Sequence, residues 1–261
     1  MQIKPFKVKN IQINSNVKLH IIDIEEITLE LKDLIDKELI EIYIGDLDNN
    51  FKRVKKQLKT FFYGLDINKK MGATAEFLIH VYMRYIGFTQ NCLFSNLEER
   101  SMKKGFDGYY SKGVEEWIME SKSGSILTKK KVTHLSKIKE AYNQSLKPLI
   151  LGIETKNKKP NNPWANAYRH AKNTDTEKEI LDNIRKLSQD YIDEKYADIE
   201  TLNLVPSSTI FLDAKWIEYD SNSILLGIEE LIKNDDFKFN QLEIICITKK
   251  SLQLFEDYLN E

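Results

Sequence analysis

Along this chain, apolar residues cluster at two spacings, and the change from one to the other marks the predicted elements. Val17 to Ile24 reads as a strand, and Ile27 to Leu39 has apolar positions at mixed spacing that suit a short helix. Asp48-Asn49-Asn50 can cap a basic helix reaching about Phe62, which Gly64 then stops. From Met71 to Ile86 apolar residues cover nearly every helical face, which predicts a buried helix ending at Gly87, with Glu76 as its one acid. Phe88 to Phe94 is a strand or connector, and Asn96 to Lys104 is a charged loop. Gly105 to Tyr110 and Trp117 to Lys122 read as neighbouring strands, and Ser123-Gly124-Ser125 as the turn that follows.

A helix is then expected from about Thr128 to Leu146, with Val132, Leu135, Ile138 and Tyr142 inward. Pro148 to Ile153 fits strand or helix, and Lys156 to Pro163 is a Lys/Asn/Pro loop. Thr176-Glu177-Lys178-Glu179 has capping-box spacing and opens a long helix with Ile180, Ile184, Leu187 and Tyr191 on one face. The tail reads strand (Thr209 to Trp216), helix (Ser223 to Lys233), strand (Leu242 to Thr248), helix (Ser251 to Leu259). Strands joined through a helix of this length run parallel, so the tail extends or abuts an α/β sheet. The expected fold is α/β: an N-terminal α+β lobe over residues 1–65, a core over 66–200, and a C-terminal βαβα part over 201–261 packed on that core.

Composition narrows the class. At 261 residues, with 41% hydrophobic and 30% charged positions, the chain can bury a sizeable core under a well-solvated surface. No apolar stretch approaches the roughly 20 residues that cross a bilayer, and Met1-Gln2-Ile3-Lys4-Pro5 lacks a signal-peptide core, so no membrane partner and a cytoplasmic location are expected. Cys92 and Cys246 have no partners at metal-ligand spacing and read as buried thiols, and His20, His80, His134 and His170 form no HExxH pattern. The net charge of −1 offers no global field for nucleic acid. Locally, lysines gather at Lys52/Lys55/Lys56/Lys59, Lys103/Lys104, Lys129/Lys130/Lys131 and Lys156/Lys158/Lys159. Lys129 and Lys130, with Lys137 and Gln144 on the helix that follows, are candidates to track a phosphate backbone; a solvated helix face explains them equally well.

The candidate chemistry lies mid-chain. In a strand, Ile118, Glu120 and Lys122 share one face, which sets a carboxylate beside an ammonium. If Gly105 to Tyr110 is the adjacent strand, Asp107 approaches Glu120, and the two carboxylates make a hard oxygen site for Mg²⁺. A lysine beside that ion can orient water or hold charge developing on a phosphate, which suits phosphodiester hydrolysis. Glu76 either reaches or supports the same ion, or pairs with Arg84 or the surface. Acid-x-Lys triplets also follow apolar runs at Glu154 and Asp213, but neither has an acid on a strand-like run just upstream. No phosphate loop of the GxxxxGKS/T type and no Ser-centred nucleophile elbow is present.

Glu76, Asp107 and Glu120-Ser121-Lys122, in that order on helix, strand and strand, resemble the PD-(D/E)XK nuclease superfamily, although Phe106 stands where its name has proline. Gly72-x-x-x-Glu76, Lys103-Lys104-Gly105-Phe106-Asp107-Gly108 and Trp117-Ile118-Met119-Glu120-Ser121-Lys122 resemble the nuclease subunit of Hachiman anti-phage defence systems, over residues 71–146. That resemblance implies a restriction-endonuclease-like core of mixed sheet flanked by helices, and Mg²⁺ (or Mn²⁺) held by Asp107, Glu120 and the Ser121 main-chain carbonyl. It also implies Lys122 and Glu76 as further catalytic groups, DNA as substrate, and a superfamily 2 helicase as partner. The alternatives are a stand-alone restriction or junction-resolving nuclease and a non-catalytic adaptor that restrains a helicase.

Overall fold

Alternation along the strands decides which side chains meet, and it divides the core into two layers. The structure, a computed structural model, describes residues 4–95, 105–128, 132–154, 161–213, 215–234 and 237–261. Its strands are β1 (Lys7–Asn14), β2 (Val17–Ile24), β3 (Thr89–Gln90), β4 (Gly108–Lys112), β5 (Glu115–Ser125), β6 (Asn203–Phe211) and β7 (Gln241–Lys249). They form one mixed sheet in the order β1-β2-β7-β6-β5-β4-β3. β2, β7, β6 and β5 are mutually parallel, while β1 and the β3–β4 pair run antiparallel to their neighbours.

On one face Ile22, Trp117, Met119, Val205, Ile245 and Ile247 pack under α1 (Leu29–Tyr43), α2 (Phe51–Tyr63), α3 (Ile67–Tyr85) and α9 (Gln253–Asn260). On the other, Leu19, Ile118, Leu204, Ile244 and Cys246 pack under α4 (His134–Ala141), α6 (Pro163–Ala171), α7 (Lys178–Ile192) and α8 (Ser221–Lys233). The result is three layers, helix, sheet, helix. Among the described residues, no helix is long and apolar enough to cross a membrane. Cys92 and Cys246 are both buried, and neither forms a disulfide among the described residues.

Several expectations change. Residues 1–65, expected as a lobe, supply β1 and β2 to the common sheet, β2 pairing with β7 from Val17↔Leu242 to Ile24↔Lys249. Ser123-Gly124-Ser125 is strand rather than turn, because β6 holds it at Ser123↔Thr209, Gly124↔Ile210 and Ser125↔Phe211. The helix expected from Thr128 begins at His134, after a capping box in which Thr133 and Ser136 exchange side-chain bonds with each other's amides. It then passes through a π-turn, Tyr142–Leu146, into α5 (Lys147–Ile150). The capping box expected at Thr176 does not form: the Glu177 side chain makes no cap bond, and the Thr176 hydroxyl bonds with Thr174 and Asn91 instead. β6 starts at Asn203, well before Thr209, despite Pro206 inside a central strand. Pro163 opens α6 instead of ending a loop.

A buried polar column also crosses the first face. His20 Nδ1 is bonded to the Tyr82 hydroxyl at 2.7 Å, and His20 Nε2 to the Glu243 carboxylate. Burial acts to raise the Glu243 pKa, but the His20 bond and the charges of His20, Lys18 and Lys112 together outweigh it, and the carboxyl sits below its usual value.

Candidate active site

Strand β5 outruns its neighbour on one side, and the site begins where that neighbour ends. β4 pairs with β5 only as far as Gly108↔Met119, whereas β6 stays paired with β5 to Ser125. Asp107 lies just before β4, not within a strand as expected, and its Oδ2 accepts the Ser121 amide at 2.9 Å. A carboxylate thus replaces the backbone partner that β5 loses. The approach is close because residue 108 is glycine: a Cβ there would lie 2.7 Å from the Tyr110 ring and 2.9 Å from the Met119 methyl.

Strand alternation puts Glu120 and Lys122 on one face, as the spacing predicts. Glu120 is 5% exposed, and its Oε1 accepts the Lys122 ammonium at 2.7 Å. Its Oε2 is buried and has no hydrogen-bond partner among the described residues. Asp107 and Lys122 keep part of their surface open to solvent.

Charge in this cluster is unbalanced. Burial, with the charges of Glu120 and Glu76, pushes the Asp107 carboxyl well above its usual range, against the pull of Lys122 and the Ser121 amide. Burial raises Glu120 too, opposed by Lys122 and by a bond to the Ser145 hydroxyl. Desolvation acts to lower the Lys122 pKa, but the Glu120 and Asp107 carboxylates overcome it and the net shift is upward. Asp107, Glu120, Glu76 and Lys122 therefore feel one another's charge.

Glu76 comes from α3, on the other side of the sheet. The alternative pairing with Arg84 is not made, since Arg84 Nε donates to Glu38 Oε2 at 2.6 Å. Glu76 Oε1 lies 3.8 Å from His80 Nε2, and His80 Nδ1 bonds the Tyr110 hydroxyl on β4, so an imidazole lies between the helix acid and the strand that Asp107 precedes. Ser145 and Glu140, which acts on Lys122, are further neighbours. The π-turn that presents Ser145 has no sequence signature, so Ser145 could not be found from the chain alone.

Lys137 approaches β5 over Gly124, where an added Cβ would meet the Lys137 Cε at 3.0 Å and Val132 at 2.6 Å. Its ammonium is bonded to Glu140 Oε2 at 2.7 Å, and Gln144 is exposed on the π-turn. Lys129 and Lys130 lie outside the described residues. Of the rival triplets, Glu154 follows the helical turn α5 and Asp213 follows β6, while Thr155, Lys156 and Ala214 lie outside the described residues.

Among the described residues, no group of three or more His, Cys, Asp or Glu side chains could hold a metal ion. The most that Asp107 and Glu120 could offer an ion is a pair of carboxylates. Mg²⁺ suits such a pair, because it commonly takes one or two protein carboxylates and completes its shell with water and substrate phosphate. No family model matches the chain, and neither a curated protein nor a solved structure matches it.

Proposed function

We propose that this protein is a Mg²⁺-dependent DNA endonuclease with a restriction-endonuclease-like core, the effector subunit of a bacterial anti-phage defence complex that includes a helicase. The observation that carries the catalytic reading is a deficit of partners: two acids meet over one lysine, and a buried oxygen of Glu120 has no hydrogen-bond partner among the described residues. Buried anions in excess of their cations either hold a proton or take a metal ion.

Asp107 and Glu120 would hold the ion, beside the Ser121 main chain. When bound, it would supply Lewis acidity toward a phosphate oxygen and lower the pKa of a water. Lys122 is charged across the neutral range, and its ammonium has three protons, one of which is engaged by Glu120 Oε1. The remaining two can point a water at phosphorus or hold charge on the phosphate. The Ser121 amide fixes Asp107, and the Lys122 ammonium holds Glu120. Glu76, held near His80, adds the negative potential that favours a cation over a proton-free vacant pair. DNA and the helicase rest on the resemblance of residues 71–146, and a net charge of −1 accords with a nuclease to which a motor delivers its substrate.

Plasmid nicking with Mg²⁺ and with EDTA tests this reading. Wild type should nick only with the ion, and Glu120→Gln/Lys122→Met should stay folded by circular dichroism without nicking. Persistent cleavage by that double variant refutes the assignment.

A further inference from the structure

We propose that the groove between α2 and the end of α9 binds the phosphate backbone of single-stranded nucleic acid, as a site separate from the acid pair. On α2, Val54, Leu58 and Phe62 are 0%, 0% and 1% exposed, while Lys52, Lys55, Lys56 and Lys59 keep part or all of their surface open to solvent. These lysines line a groove of about 750 Å³ together with Tyr63 and Asn260. They recur once per helical turn, about 5.4 Å, a step that suits successive phosphates of one strand.

Neighbouring cations already have counter-ions: Arg53 pairs with Asp48, Lys70 with Glu256 at 2.7 Å, and Lys32 with Glu261. The four groove lysines have no ion pair among the described residues, and Glu261, the carboxylate on the groove wall, is engaged by Lys32. The Lys55 ammonium lies 4.0 Å from the centroid of the Tyr258 ring and 5.9 Å from that of Phe51, which holds it between the two helices. A chain with net charge −1 thus gathers four lysines without an ion pair among the described residues in one concave track.

The occupant follows from shape and chemistry. Val54, Leu58 and Phe62 of α2 are buried in the core, and the two rings the helix exposes, Phe61 and Tyr63, are too little apolar surface to seat it in a bilayer. Tyr63, 52% exposed at the groove wall, offers a ring on which an unpaired base can stack. Neither α2 nor α9 supplies a residue to the acid pair, so this inference does not depend on the endonuclease reading.

Fluorescence anisotropy with labelled oligo(dT) of about twenty nucleotides, full-length protein and EDTA throughout, tests it. The triple variant K52Q/K56Q/K59Q should bind at least tenfold more weakly than wild type. Its plot of log K against log salt should be shallower by about 2, since each strand phosphate contact contributes roughly 0.7. The control K172Q/K178Q/K186Q, on exposed lysines of the opposite helical layer, should bind as wild type does. Equal affinity and slope for wild type and K52Q/K56Q/K59Q would overturn the proposal, as would an equal loss in the control. Displacement of the oligonucleotide by polyglutamate, by duplex DNA or by phosphatidylserine vesicles at matched charge would overturn the single-strand assignment.

Discussion

Two buried carboxylate clusters in this molecule have opposite characters. Glu243 faces His20, which is bonded in turn to Tyr82, and its carboxyl is held below the usual range. Asp107 and Glu120 share Lys122, and both are pushed up. The first cluster is complete as folded and contributes stability. The second is short of positive charge, so burying it costs free energy until something is added. The contrast separates a polar cluster that the fold satisfies from one that it leaves with excess negative charge.

The comparison breaks most visibly through activity. Glu120→Gln or Lys122→Met alone should lower Mg²⁺-dependent nicking by about a thousandfold, without lowering the midpoint of urea unfolding. His20→Ala should do the reverse. It leaves Glu243 without its partner and should cost about 3 kcal/mol in urea unfolding, with nicking per folded molecule unchanged. A His20→Ala variant of full stability and no activity would merge the two clusters and end the distinction.

Asp107→Asn sharpens the comparison from the other side. In metal-free buffer it should stabilise the protein by about 1–2 kcal/mol, because it removes one of two like charges. A raised folded pKa means that the native Asp107 keeps a proton the unfolded chain releases, so wild-type stability from this group is lost as pH rises from about 3.9 through the folded value. The advantage of Asp107→Asn should therefore grow over that range, and a variant less stable than wild type at neutral pH would refute the strain. Adding Mg²⁺ should raise the unfolding midpoint of wild type and leave that of Asp107→Asn unchanged.

A contrast in pH dependence comes from His134, bonded to Ser208 at 2.7 Å and Thr248 at 3.2 Å, whose pKa burial pushes down to about 3. Below about 6.5 the unfolded chain takes up a proton that the native imidazole refuses, so stability falls by about 1.4 kcal/mol per pH unit on the way to the folded value. The sign is opposite to that for Asp107. His134→Gln should flatten this part of the stability profile relative to wild type.

The juxtaposition of Glu120 with Lys122 was legible because strand alternation is a local rule, and Asp107 was legible because a short connection brings its segment beside that strand. The extent of β5 was not: Ser123-Gly124-Ser125 has turn chemistry, and only pairing with β6 makes it strand. β1 escaped notice because it is a lysine-bearing edge strand with little buried surface, pinned only by its pairing with β2. The direction of Glu76 depends on how α3 sits on the sheet, which no spacing records. Lys249 followed an apolar run that reads as a strand, yet nothing in that run foretold its complete burial, which brings its pKa down to about 7.

The position of β7 has a consequence for how the molecule is made. It is the final strand in sequence, yet it lies between β2 and β6. During synthesis, the stretch from Asp107 to Lys122 leaves the ribosome long before the strand that joins the two halves of the sheet. Assembly is delayed by topology, and a product truncated ahead of Gln241 would lose a central plank instead of an outer one. Such a fragment should be unfolded and be digested by proteases much faster than the full chain.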